Sequence, residues 1–349
     1  MKMTQKHSVI GLELGAKTIK AVQLIKRPGQ DTRAQALCIK RLDHDHVVNL
    51  DDLSRTRDAL YRQGFRGNTI IASIPHELQL MSLVEIPASD DRAPVHAIAS
   101  NQLATQYGLE PHQLECAYWR MPTQTRVHDT AKGMAVGCQN ENAELLLQNF
   151  EDADFDVIAL DVQSHATSRA INHLYPTPNE LDISAVMNFG WQHTCLTLIL
   201  NQTVVYERTL STFNLKSLYQ KLQERFQLEE KAVDFLLKNF GLVKPTEQDL
   251  VNMSQLPAVQ SAITQYTDTL INELNTALSY ASHEYPNSEV AQVLLAGGGS
   301  TINGLAAHMN EDLHRPCEVF NFENTNSSNA FPGMLLNAYG LALRNEVQS

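Results

Sequence analysis

Three short stretches of this sequence carry residue types suited to holding an anion. In Val9-Ile10-Gly11-Leu12-Glu13-Leu14-Gly15-Ala16-Lys17 an apolar strand delivers a carboxylate, then one residue, then a glycine. Ser184-Ala185-Val186-Met187-Asn188-Phe189-Gly190 repeats the arrangement with an amide in place of the acid. In each, the glycine lets the backbone bend tightly or come close to a ligand, and two such turns facing one another can wrap phosphates with backbone N–H groups. The third stretch, Val293-Leu294-Leu295-Ala296-Gly297-Gly298-Gly299-Ser300-Thr301, is an apolar strand running into three glycines. Those glycines allow the backbone to lie against a flat ligand. Ser300 or Thr301 is predicted to cap a helix beginning near Ile302, whose N-terminal dipole favours an anion. The candidate site is therefore Glu13, Gly15, Ala16, Lys17, Asn188, Gly190, Gly297, Gly298 and Gly299, with Lys20 also within reach of a phosphate. A lysine beside a surface turn is ordinarily just solvated, and one glycine-rich turn means little. The order of the three stretches is the signal. The pattern G-x-x-x-x-G-K-[ST], the commonest alternative phosphate loop, is absent from the sequence.

These residues need strands and turns to present them. Ser8 to Glu13 and Ile19 to Ile25 read as the strands of a hairpin, followed by a strand over Ala34 to Lys40, a helix over Asp51 to Gln63 ending at Gly64, and a strand over Thr69 to Ile74 stopped by Pro75. From Glu77 to about Glu151 the pattern changes to a compact unit. Its strands are Leu80 to Ile86, Glu115 to Met121 and Gly133 to Gln139, and its helices are Ala93 to Tyr107 and Glu141 to Phe150. A strand over Asp156 to Leu160 and a helix over Gln163 to Leu174 close the first lobe. A second hairpin, Ser184 to Asn188 and Thr194 to Leu200, opens the second. Helices over Asn214 to Phe226, Glu229 to Phe240 and Ala258 to His283 follow, the last with an apolar stripe at Ile263, Tyr266, Leu270, Leu274 and Leu278 that predicts a core face. The chain then reads as strand (Ala291 to Leu295), glycine turn, helix (Ile302 to Leu313), short strand (Glu318 to Phe320) and helix (Gly333 to Arg344). The expected division is 1–75 with 156–180 for lobe one, 76–155 for an inserted subdomain, 181–213 with 290–349 for lobe two, and 214–289 for its helical part.

Composition narrows the function. The 349 residues suit two lobes with separate cores. A formal net charge of -12 would repel a phosphate backbone, and no Lys/Arg stripe interleaved with aromatics offsets it, so nucleic-acid binding is not expected. Glu13 interrupts the first apolar run before it could serve as a signal-peptide core, and no uninterrupted apolar stretch reaches about 18 residues. A cytosolic protein with no membrane span is the expectation. The five cysteines, Cys38, Cys116, Cys138, Cys195 and Cys317, form no C-x-x-C pair and read as reduced thiols. His44-Asp45-His46 lacks a third ligand at helical spacing and reads as a solvated loop rather than a metal site.

Paired hairpins opening successive lobes, with a late Gly-Gly-Gly turn, resemble the superfamily of actin, chaperone ATPases and sugar kinases, in which ATP sits between two lobes. Within it the chain is most similar to the PilM family of type IV pilus proteins. The residues that carry this are Ile10 through Val22, Ser73-Ile74-Pro75 followed by Glu85-Ile86-Pro87, Leu160-Asp161-Val162 and Gly297-Gly298-Gly299. The cell-division protein FtsA, which also has a domain inserted in lobe one, is similar too. The resemblance implies an α/β actin-like ATPase fold, two lobes each built on a mixed sheet with helices, and a small α+β subdomain inserted in lobe one.

What the family resemblance implies for the site comes with departures. Relatives typically carry Asp at the polar position of both hairpins, where it helps hold the magnesium that accompanies ATP. Here Glu13 keeps the charge and is the implied metal ligand, while Asn188 loses it. Ser211-Thr212-Phe213-Asn214 replaces a glycine-containing turn, and Phe213 is expected to fill space near the nucleotide. Asp161 matches a family position and is expected to orient water or to cap the helix starting near Gln163. ATP and Mg2+ are the implied cofactors. With both acidic positions changed, no catalytic residue is assigned and hydrolysis is expected to be slow or absent. The implied role is a cytoplasmic scaffold at the inner membrane that grips the N-terminal cytoplasmic peptide of PilN, near Ser73 to Ile86 and Ala93 to Tyr107, alongside other proteins of the pilus inner-membrane complex. Self-association stays open. An active ATPase or small-molecule kinase is one alternative. An FtsA-like filament former is another, less in keeping with a chain that stops at Ser349 without an extra basic amphipathic segment.

Overall fold

β-Branched and long apolar side chains dominate Lys6–Leu14 (β1) and Thr18–Lys26 (β2), which pair antiparallel and place Glu13 directly opposite Lys20. Arg33–Lys40 (β3) adds to β2, and after Leu50–Arg62 (α1) the strand Thr69–Ser73 (β4) returns parallel to β1. Residues 6–29, 32–42, 47–87, 94–122, 130–322, 325–326 and 331–344 are described in this computed structural model, so His44, Asp45 and His46 lie outside the described residues. Leu80–Pro87 (β5), Val95–Tyr107 (α2), Leu114–Arg120 (β6) and Thr130–Gln139 (β7) form a separate three-stranded sheet in the order β5-β7-β6, with α2 packed on one face. Asn140–Asp152 (α3) leads back to Asp156–Asp161 (β8), which completes the first sheet beside β4, and Gln163–Leu174 (α4) follows.

The second lobe starts again with a hairpin. Ile183–Phe189 (β9) and Thr194–Leu200 (β10) pair antiparallel with Asn188 opposite Cys195, and Thr203–Leu210 (β11) joins the outer edge. β11 is not predicted from the sequence because its polar side chains, Thr203, Tyr206, Glu207 and Arg208, hide the alternation. It is an edge strand covered by the inserted subdomain, whose Trp119 Nε1 donates to the Val204 carbonyl at 2.8 Å. Leu215–Phe226 (α5), Glu230–Asn239 (α6), the short Glu247–Asn252 (α7), also not predicted, and Leu256–Glu284 (α8) make the helical part. The stripe Ile263, Tyr266, Leu270, Leu274 and Leu278 of α8 is buried in the main lobe-two core, as its spacing requires.

Val290–Ala296 (β12) pairs parallel with β9, followed by Leu305–Leu313 (α9) and Cys317–Val319 (β13). The chain then crosses back: Thr325–Asn326 (β14) adds to the β3 edge of the first sheet, and Leu336–Ala342 (α10), entered through a 3-10 turn at Pro332–Leu335, lies between the sheets. One hydrophobic cluster unites Val22 and Leu24 of β2, Val186 of β9, Leu294 of β12 and Tyr339 of α10. Burial of this shared apolar face holds the two lobes together, at about 25 cal/mol for each Å2 withdrawn from water. No helix among the described residues is long and apolar enough to cross a membrane.

Candidate functional site

The two hairpins point their turns at each other across the interlobe cleft. Each is built on the same glycine geometry: a Cβ added at Gly15 would stand 2.6 Å from the Thr18 carbonyl, and one at Gly190 2.6 Å from the His193 carbonyl. Neither site tolerates a side chain at that approach. Their anchors differ. The first turn is held from the end of β3, where Arg41 donates from its backbone N–H to the Lys17 carbonyl and from Nη1 to the Ala16 carbonyl, both at 3.0 Å. The second is held by the start of α5, whose Leu215 and Lys216 N–H groups donate to the Gly190 and Trp191 carbonyls. The Gly190 N–H closes its own turn on the His193 carbonyl at 2.9 Å.

Glu13 is buried, 6% exposed, and Lys20 Nζ lies 2.6 Å from its Oε1. The implied metal ligand is therefore neutralised by a lysine of the neighbouring strand. This departs from the sequence expectation because the antiparallel register sets the two side chains face to face in the interior, where an unpaired carboxylate would be costly. Asn188 lies against Gly297, and its strand partner Cys195 is a thiol that burial pushes up to about 12. Lys17 crosses the cleft: its Nζ sits 3.5 Å above the centroid of the Trp191 ring and 2.7 Å from Glu230 Oε1 on α6. At the deep side, His76 of lobe one packs against His193 of the second turn, ring centroids 4.4 Å apart and planes tilted by 45°. Burial, reinforced by the neighbouring His193, lowers His76 to about 4.

The glycine turn does not start a helix near Ile302. Gly298–Thr301 is a 3-10 turn, Gly304 at φ 81° breaks it, and the α-helix begins at Leu305. Ser300 and Thr301 turn their hydroxyls back to the Gly297 and Gly298 carbonyls, each at 2.7 Å, and so are not caps of that helix. Gly297 takes φ 80°, and any Cβ there would collide with Asn188 Oδ1 and the Phe189 carbonyl. Gly299 is packed on the Phe189 ring, while Gly297 and Gly298 line the inner chamber and Gly298 also reaches the outer one. Phe213 also departs from expectation: it packs edge-to-face on Tyr266, centroids 5.9 Å apart, rather than filling the cleft. Asp161 neither caps α4 nor stands free to orient water; Arg169 at 2.5 Å and Arg344 at 3.3 Å hold its Oδ2.

The cleft falls into two chambers. Between the turns, beside Glu13, Lys17 and Asn188, the space is about 120 Å3. Beyond Gly298 it widens to about 870 Å3 between α5, α6 and α9. Ligand sites usually span about 300–1,000 Å3, so the outer chamber is the size for a nucleoside and the inner one is too narrow to hold one. The outer wall carries Lys17, Lys40, Lys231 and Lys238 against Glu230 and Asp234, a local reversal of sign in a chain of net charge -12. The roles of Trp191, His76, His193 and Glu230 are not predicted from the sequence. For Trp191 the available signal was its place directly after Gly190; the others are brought in only by packing.

Comparison with known proteins fits this architecture. The sequence profile of a family described as type IV pilus assembly protein PilM matches residues 11–346. The chain belongs to the PilM family. No curated protein matches the sequence closely enough to count as a relative. Among solved structures, a PilM-PilN type IV pilus biogenesis complex superposes with a TM-score of 0.75 at 18% identity, covering 97% of this chain and 98% of that one. MreB5 of Spiroplasma citri bound to ADP follows at TM-score 0.53 and 10% identity, covering 97% of each chain. The activator of 2-hydroxyisocaproyl-CoA dehydratase from Clostridium difficile, with bound ADPNP, reaches 0.51 at 11%, covering 98% and 97%. The fold is the actin-like one, and membership of the family gives the protein its role in type IV pilus assembly.

Proposed function

We propose that this protein is a scaffold at the cytoplasmic face of the pilus inner-membrane complex, that it grips the N-terminal peptide of PilN, and that its interlobe site holds a nucleotide with little or no turnover. One observation carries the reading. A groove of about 410 Å3 opens where the inserted subdomain meets β11, with Met81, Leu83, Tyr107, Met134, Tyr206 and Tyr280 on its walls. Two of the segments expected to receive the peptide, Ser73 to Ile86 and Ala93 to Tyr107, contribute to it. Aromatic and methionine walls suit an extended peptide with apolar anchors, and Leu83 is 59% exposed for so large an apolar side chain. The backbone of β5 is held from α2, where the Tyr107 hydroxyl and the Gln102 amide bond to Met81 and Glu85. A peptide would therefore dock through side-chain pockets rather than by adding a strand to that edge.

The groove also contains an incomplete polar group. Glu207 has its carboxyl tip enclosed and pushed up to about 7 by burial. Ser164 and Gln79 approach it, but neither closes a bond on Oε2, which has no partner among the described residues. The PilM-PilN complex supports the choice of partner, and the nucleotides named with two of the structural neighbours support the outer chamber as a nucleotide site.

The test is calorimetric titration with a synthetic peptide copying the N-terminus of the cognate PilN, with and without ATP. Micromolar or tighter binding is expected, abolished by Leu83→Glu, a substitution at an exposed position that leaves folding intact. Absence of binding by the unaltered protein sinks the partner assignment, and sustained ATP turnover in the same sample would favour an active ATPase instead.

A further inference from the structure

The metal that accompanies ATP in the superfamily does not fit the residues of this cleft. A small divalent cation asks for oxygen ligands in near-octahedral array, usually one or two carboxylates together with the substrate phosphates. Three of the four carboxylates lining the two chambers are matched with lysine side chains, and the fourth faces a histidine. Glu13 has Lys20 at 2.6 Å, Glu230 has Lys17 at 2.7 Å, Asp234 has Lys238 at 2.8 Å, and Glu77 faces His193 at 3.7 Å. Nearby Asp161 is shared by Arg169 and Arg344. The equivalent position in the second hairpin, Asn188, brings no charge at all.

The Glu13–Lys20 pair is the decisive one. Its members are 7% and 9% exposed as side chains, and they are opposite each other in an antiparallel ladder. Separating them would leave two buried charges unpaired. A cation entering beside Glu13 would also meet the Lys20 ammonium at close range in a poorly solvated place, where like charges repel strongly.

We infer that the cleft binds its nucleotide without a divalent cation, the Lys20 ammonium occupying the place beside Glu13 that a metal would take. The inference rests on the nucleotide reading given above. It accounts for two features together: the uncharged Asn188 at the equivalent position of the second hairpin, and the excess of lysine over carboxylate on the wall of the outer chamber, which screens phosphates directly.

Two measurements test it separately from that reading. ATP is titrated into the full-length protein in millimolar Mg2+ and again in EDTA. Affinities agreeing within about threefold are expected, and a loss of about tenfold or more on chelation overturns the inference. If ATP binds under neither condition the nucleotide reading fails, and the metal question is decided without nucleotide. Mn2+ uptake followed by electron paramagnetic resonance is then compared between the unaltered protein and Glu13→Gln. Equal uptake is expected, since any ion held by the Asp268, His308 and Asp312 group on α8 and α9 is common to both. Loss of one ion per chain in Glu13→Gln shows that Glu13 holds a metal and overturns the inference. Should Glu13→Gln fold poorly, the pair Glu13→Gln with Lys20→Met leaves no buried charge and gives the same readout.

Discussion

The first and second hairpins share a backbone plan and differ in electrostatics. Both run apolar strand, polar residue, spacer, glycine, and in both a Cβ on the glycine would stand 2.6 Å from the carbonyl three residues on. In the first, the two residues that face each other across the ladder are Glu13 and Lys20; in the second they are Asn188 and Cys195. One hairpin buries an ion pair, the other a neutral pair. A repeated motif thus fixes where a ligand can lie, while the cross-strand partner decides whether the polar group is free to meet it.

The contrast is sharpest when the charge is uncovered. Lys20→Met strands the Glu13 carboxylate and is expected to cost about 3–5 kcal/mol, measured by urea denaturation. Cys195→Ala at the equivalent position of the second hairpin should cost only about 1 kcal/mol. If the two losses were equal, the Glu13–Lys20 pair would not be the buried, tightly matched one described. Restoring neutrality with Glu13→Gln in the Lys20→Met background should recover most of the loss.

Acid should act where lobe one meets the turn of the second hairpin. His76 titrates near 4 in the folded protein against an ordinary value of 6.5, so the unfolded chain binds the proton more readily. The stability that its neutral form provides is complete above about pH 6.5 and is lost as pH falls toward 4. Between pH 7 and pH 5 the loss should be about 2 kcal/mol, and His76→Phe should flatten that part of the stability profile. An unchanged slope in the variant would mean that the packed His76 and His193 rings do not report on the closed cleft.

The contact between the two turns should matter least to stability. Lys17 is partly exposed and Glu230 is 45% exposed, so their ion pair contributes little, and the stacking of the ammonium on Trp191 adds about 0.5–1 kcal/mol. Trp191→Ala is expected to lower stability by about 1 kcal/mol while widening the inner chamber, visible as a larger radius of gyration in solution scattering. A loss as large as that of Lys20→Met would place the hold between lobes in the turns rather than in the cluster around α10.

Much of the architecture was legible in the residues. The strands of both hairpins, the inserted three-stranded unit and the buried stripe of α8 follow from period-two and period-3.6 patterning, because those faces bury apolar groups along a local repeat. β11 was not legible, since an edge strand clamped by another subdomain has no need of alternation. The break at Gly304 was missed for a related reason: a left-handed glycine after a 3-10 turn reads, in sequence, like an ordinary helix entry.

Sequence alone determined the family, most of the elements and the positions of Glu13, Asn188 and the three glycines. Tertiary structure decided what those residues are free to do. Strand register set Lys20 on Glu13, lobe closure carried Lys17 onto Trp191 and Glu230, and the return of the chain through β14 and α10 joined the lobes. Charge pairing in a buried cleft depends on distances between residues far apart in the chain, and a one-dimensional pattern does not contain those distances.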